Sequence, residues 1–340
     1  MTPADAHVPH PAGLRWGAAA VLGAAILWGT TGTAASLAPG VGPLAMGAAA
    51  LGIGGILQAL IAFPLIARER AALRSGALVV LAGAAAVAIY PLAFYSSMRL
   101  AGVAVGTVVS LGSAPIISGL LELWIEGRRP RRSWAAAAAL GILSCALLSA
   151  ATALAGPPGG ATAGGAAGGG TASTLVGVGL GLVAGGTYAL YSWCVRRLIG
   201  RGIGRPAAMG AVFGLGGLAL MPVLVATGAP ILSGGQPLAV TAYMALIPMF
   251  LGYLLFGYGL ARVPASTATT LTLAEPAVAT VLAVVIVGER LPALGWLGIA
   301  GIGISLGILA LAPRRAPRRA ARQSGPRPPR RAARRAAQRA

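Results

Sequence analysis

The sequence predicts an all-α integral membrane protein of ten transmembrane helices, arranged as two inverted five-helix repeats. Three observations carry that prediction. The 340 residues are 57% hydrophobic and only 9% charged, whereas soluble domains carry about 25% charged residues. Ten apolar runs follow one another, each near the roughly 20 residues that a helix needs to cross a bilayer. A stretch rich in Gly and Ala separates the first five from the second five. Transmembrane β-strands would alternate apolar and polar residues over about ten positions, and these runs do not.

The apolar segments are expected at residues 14–36, 43–66, 76–98, 103–122 and 134–154, then at 174–198, 207–227, 238–260, 265–287 and 293–311. Proline opens or immediately precedes several of them (Pro43, Pro206, Pro237, Pro264, Pro292), which suits a residue whose missing N–H is no loss in a first helical turn. The chain therefore divides into a cytoplasmic leader at 1–13, a first repeat at 14–154, an external linker at 155–173, a second repeat at 174–312 and a disordered Arg-rich cytoplasmic tail at 313–340. The linker opens with Gly156-Pro157-Pro158 and continues in Gly, Ala and Thr, a flexible composition. The leader lacks a signal-peptide cleavage pattern, so the first run is expected to stay as a signal anchor.

Charge sets the orientation. All 26 basic residues are Arg, and with a cytoplasmic N-terminus only Arg99 and Arg290 fall outside, a one-sided agreement with the positive-inside rule. A multi-pass protein of the cell (inner) membrane with both termini in the cytoplasm is expected. Eleven arginines lie beyond Pro313 with no acid among them; that tail is expected to lie against anionic lipid, and nucleic acid is not expected as a partner. Cys145 and Cys194 sit inside apolar runs without a second ligand at metal spacing and read as small buried packing residues, and His7 and His10 have no such neighbour either. No metal or cofactor is expected. A Walker motif needs Lys, which the chain lacks, and no nucleophile elbow or His/Asp pairing supports a hydrolase. The energy source is then expected to be a gradient.

Five is odd, so two copies of one unit in series point in opposite directions, as in many secondary transporters. Sliding the first half by 161 positions places Pro115 on Pro276, Leu121 on Leu282, Gly127 on Gly288 and Arg129 on Arg290. One inserted residue later, Trp134 falls on Trp296 and Gly141 on Gly303; near the start of each half, Gly29-Thr30 aligns with Gly186-Thr187.

These features resemble the EamA-type family of the drug/metabolite transporter superfamily. The residues that carry the resemblance are Ile26-Leu27-Trp28-Gly29-Thr30, the stretch from Ala265-Ser266-Thr267-Ala268 to Leu273-Ala274-Glu275-Pro276, and Val287-Gly288-Glu289-Arg290-Leu291 before Trp296-Leu297-Gly298. The first half departs from the pattern: Ala114-Pro115 replaces Glu-Pro, and Gly127-Arg128-Arg129-Pro130 replaces Gly-Glu-Arg. The resemblance implies a carrier of small metabolites, often amino acids or related compounds moved outward, through a central cavity between the halves.

Glu275 stands about 15 Å from either end of its helix at 1.5 Å per residue, which is the bilayer midplane. A carboxylate there costs on the order of 3 kcal/mol, so it is expected to face a cavity or a partner. It either binds an amine or exchanges a proton, or it is held by hydroxyls and by backbone that Pro276 frees. Thr272 lies three residues earlier, on the same face if the helix is regular. Trp28, Tyr90, Tyr188 and Tyr253 lie deep in their helices and are expected to line the cavity, while Trp16, Trp134 and Trp296 sit near helix ends and read as interface residues. Pro115 and Pro276 are the symmetry-related helix breaks or gate markers. Glu122 and Glu126, beside Arg128 and Arg129, read as a solvated charge cluster, and Glu289-Arg290 as a helix-end contact.

The expected activity is secondary transport of a small polar metabolite by alternating access, with amino acid export first and movement of a nucleoside, sugar or drug-like cation second. A coupling proton is the expected co-substrate. A non-transporting membrane assembly protein is the reading from another class.

Overall fold

A run of apolar side chains cannot satisfy its own backbone in lipid unless the N–H and C=O groups bond within the segment, and that requirement builds this fold. A computed structural model of the protein describes residues 11–155, 171–287 and 291–311. Most of the leader, with His7 and His10, and also residues 156–170, Glu289-Arg290 and the Arg-rich tail lie outside them. The described residues contain ten helices long and apolar enough to span a membrane: α1 (Arg15–Ser36), α2 (Pro43–Arg68), α3 (Ala77–Ala101), α4 (Val103–Glu126), α5 (Arg132–Leu154), α6 (Ala172–Gly200), α7 (Arg205–Thr227), α8 (Gly235–Leu260), α9 (Ala265–Ile286) and α10 (Ala293–Leu311). No strand occurs among the described residues.

The pairing of helices obeys an exchange of the two halves. Helix α3 packs along α6 and α1 along α8, and α4 packs on α6 as α9 packs on α1; swapping α1–α5 for α6–α10 turns each contact into the other. Helices α2 and α7, which exchange with each other, cross most intimately. Their crossing is made of glycines: a Cβ on Gly217 would lie 2.6 Å from the Gly52 carbonyl, and one on Gly214 would run into Ala59. Small residues let helix backbones approach closely where lipid offers no hydrophobic drive. Large apolar side chains such as Leu78, Trp124, Leu154 and Val225 point outward and are mostly exposed, as lipid-facing groups must be. Cys145 and Cys194 are free and buried.

Trp16 and Trp296 are half or more exposed near helix ends. Trp134 departs from the interface reading. Its ring lies over Gly119 of α4, where a Cβ would meet it at 2.5 Å, and its indole nitrogen is buried. The repeat-equivalent of Gly119 is Thr280, whose hydroxyl donates to the Pro276 carbonyl at 2.9 Å.

Candidate functional site

Helix α9 is interrupted at the place that matters. It runs as Ala265–Leu271, turns at Thr272 and Leu273, and resumes as Ala274–Leu282. Pro276 has no N–H to give the Thr272 carbonyl and its ring would crowd that oxygen, so the carbonyl accepts from the Glu275 N–H instead, at 3.0 Å. The Thr272 hydroxyl donates to the Thr269 carbonyl (2.9 Å) and pairs with the Tyr188 hydroxyl (2.8 Å). Glu275 therefore stands in the first turn of a new helix, where the N-terminal dipole favours a negative charge.

Pro115 behaves differently. Helix α4 runs unbroken from Val103 to Glu126 through it, so the expected symmetrical break is absent. Leu111, the equivalent of Thr272, has no hydroxyl to compete for backbone bonds.

Glu275 faces a cavity of about 40 Å³, room for a few water molecules at roughly 10–15 Å³ each. Helices α1, α2, α3, α8 and α9 contribute its walls, and the rings of Trp28, Tyr90, Phe94, Tyr95 and Tyr253 line it. Among the described residues the Glu275 carboxylate makes no hydrogen bond or ion pair. No basic side chain lines the cavity. It lies in the half of the bundle away from the Arg-rich helix ends, since Gly47 follows Pro43 closely and Tyr95 is near the end of α3.

Trp28 is placed by a second irregularity. Helix α8 loosens to a π-helical turn over Ala245–Leu251, a form common at functional sites, and the Trp28 indole N–H donates to the Pro248 carbonyl at 2.9 Å. The ring reaches there because residue 252 is glycine: a Cβ would lie 2.8 Å from the indole nitrogen.

Of the sequence-predicted residues, Trp28, Tyr90, Tyr253 and Glu275 meet around this cavity. Thr272 and Tyr188 do not line it; both are 2% exposed and bond each other behind it. Tyr188 also belongs to a buried plug with Tyr191, Phe213 and Phe256, and Tyr191 and Tyr253 share a hydroxyl bond of 2.9 Å. The plug stands between the cavity and the Arg-rich end, in the space that exchange of the repeats would make equivalent to the cavity.

Glu122 corrects the reading of a solvated cluster. It is 8% exposed and accepts from the Ser266 N–H (3.0 Å) and the Ser266 hydroxyl (2.6 Å) at the start of α9. Glu126 accepts from the Trp193 indole N–H at 3.1 Å, while its ion pair with the exposed Arg128, at 3.4 Å, is of the weak surface kind.

An acid with no hydrogen-bond partner among the described residues, beside a cavity in a bundle of two five-helix repeats, is an arrangement suited to a membrane carrier. The chain belongs to the EamA-like transporter family, which matches residues 15–150 and 175–311, one unit for each repeat, and with it to the drug/metabolite transporter superfamily. It is 36% identical over 296 residues to "Uncharacterized transporter YwfM" of Bacillus subtilis (strain 168), covering 87% of this chain and 94% of that one. An "Uncharacterized transporter" of Clostridium kluyveri is 34% identical over 119 residues, 34% of this chain and 38% of that one. A crystal structure at 21% identity, covering 87% of this chain and 96% of its own, shares the fold with a TM-score of 0.67.

Proposed function

We propose that this transporter carries small amine-bearing metabolites, amino acids or related compounds, outward across the cell (inner) membrane by alternating access, with its Arg-rich end in the cytoplasm. The observation that carries the reading is the unpartnered Glu275 carboxylate facing an aromatic-walled cavity. An ammonium group neutralises the acid and rests against ring faces. A proton neutralises it equally. Substrate and proton then compete for one carboxylate, and the exchange of one for the other couples export to a proton gradient.

A second reading has its own support. No basic side chain lines the cavity, and the first turn of the helix beside it carries an acid of its own, Glu275. A substrate carboxylate meets no positive partner there, which favours amines without an acid group over zwitterions. Uptake of labelled amino acids and of their decarboxylated amines into proteoliposomes, with and without a pH gradient, tests both. Gradient-driven flux of either set supports the transport reading, and preference for the amines supports the second. Folded protein with no flux for the whole panel favours the assembly-protein alternative.

A further inference from the structure

The four acids among the described residues are Glu69, Glu122, Glu126 and Glu275. Glu275 faces the cavity. The other three share a pattern: each belongs to the first repeat, each accepts a hydrogen bond from the second, and all lie at the Arg-rich end. Glu69, between α2 and α3, accepts from the Gly204 N–H at the start of α7 at 2.7 Å. Glu122 on α4 accepts two bonds from Ser266 at the start of α9. Glu126, at the end of α4, accepts from Trp193 on α6.

The opposite end has no counterpart. No described carboxylate lies there, and the bonds that cross between repeats join neutral groups, Thr30 with Tyr243 at 2.8 Å and Gln236 with the Leu37 carbonyl at 3.0 Å. The equivalent of Glu122 is Ala283. The start of α4, which corresponds to the start of α9, is preceded by Gly102, and no described carboxylate accepts a bond from it as Glu122 does from Ser266.

Hydrogen bonds to a charged acceptor are roughly twice as strong as neutral ones, and the two at Glu122 are buried. We infer that Glu69, Glu122 and Glu126 form an inter-repeat clasp that holds the Arg-rich end shut, with Glu122 as its latch. The moving part is the first segment of α9, Ala265–Leu271, whose side chains are almost all buried. One end is pinned by Glu122 and the other is the turn at Thr272-Leu273. Releasing Ser266 frees this segment to swing about that turn and uncover the plug from the Arg-rich side. Glu122 acts through α9 and is a positioning residue; it does not touch the cavity.

The inference rests on the alternating-access reading, and its test needs no substrate. Nitroxide labels on the full chain at Arg129→Cys and Arg201→Cys report the width of the Arg-rich end across the repeats; labels at Leu37→Cys and Leu238→Cys report the opposite end. All four positions are exposed, and Cys145→Ala with Cys194→Ala supplies the background. In the parent, pulsed-EPR distances at the Arg-rich end are expected to form one short population. Glu122→Ala is expected to raise a longer population on the order of tenfold, with a matching shorter population at the opposite end. Glu122→Gln, which keeps shape and an acceptor oxygen, is expected to give a smaller shift of the same kind and serves if the Ala variant does not fold. Unchanged distances overturn the clasp, and so does widening at the Arg-rich end alone, which is local fraying. A parent that transports while its distances ignore Glu122 defeats the clasp and leaves the transport reading standing.

Discussion

Helices α4 and α9 occupy equivalent places in the two repeats and carry a proline at the same position, yet only α9 breaks. Pro115 is contained in a continuous helix; Pro276 follows a turn that exposes a carboxylate to a cavity. The neighbours make the difference. Where α9 has Thr272, whose hydroxyl bonds its own backbone and Tyr188, α4 has Leu111. Where α9 has Glu275, α4 has the fully buried Ala114. The facing helices differ in step: Trp28 on α1 corresponds to Gly185 on α6, and the room left by that missing side chain is taken up by Ser113 and the Ser110 carbonyl. A proline permits a break, and a competing hydroxyl with a partner on a neighbouring helix decides it. One half of the repeated unit carries polar chemistry at this place, and the other is closed over the equivalent one.

Giving α4 the acid breaks that contrast most severely. Ala114→Glu buries a carboxylate with no cavity to face, at a cost on the order of 3 kcal/mol, and folded monodisperse protein should be nearly lost on size-exclusion chromatography. A good yield would show that the closed half still holds a usable site. Next, Gly185→Ala forces a methyl group against Ser113 and the Ser110 carbonyl; overpacking of about 1–3 kcal/mol should lower the thermal unfolding midpoint in detergent, whereas Gly186→Ala, with only Ile117 at 3.7 Å, should be near neutral.

Thr272→Leu gives α9 the residue of α4. Loss of the hydroxyl pair should cost about 1 kcal/mol in stability and reduce transport about tenfold, the size of change that a similar bias in a two-state equilibrium produces. Transport at the parental rate would mean that the hydroxyl has no part in the turn. Smallest is Trp28→Phe, which keeps a ring on the cavity wall and removes the bond to the Pro248 carbonyl. A few-fold rise in KM with little change in maximal flux is expected, and an unchanged KM would separate Trp28 from substrate.

The spans and their number are legible in the sequence because each depends on local composition: a run of apolar residues needs no partner to be recognised, and a lone acid inside one of them stands out. Glu122 is hidden for the opposite reason. Two arginines follow it closely in sequence, while the serine that binds it is 144 residues away. Regular helical spacing puts Thr272 on the cavity face, whereas its hydroxyl is buried against Tyr188, 84 residues away, a contact that nothing local to α9 announces. The π-helical turn in α8 leaves a faint signal in Pro248 and Gly252, four residues apart, but nothing local to α8 names Trp28 as the group that uses the freed carbonyl.

Flux through Glu275→Gln tests the account most directly. The variant keeps the shape of the side chain and removes the charge that proton and amine are proposed to share. In proteoliposomes with an imposed pH gradient, parental protein is expected to drive amine flux, and the Gln variant, folded and stable, is expected to lose gradient-driven flux by at least about a hundredfold, on the scale of a charge-assisted contact of roughly 3 kcal/mol. Parental flux that still follows the gradient in the Gln variant would contradict the central role of this carboxylate.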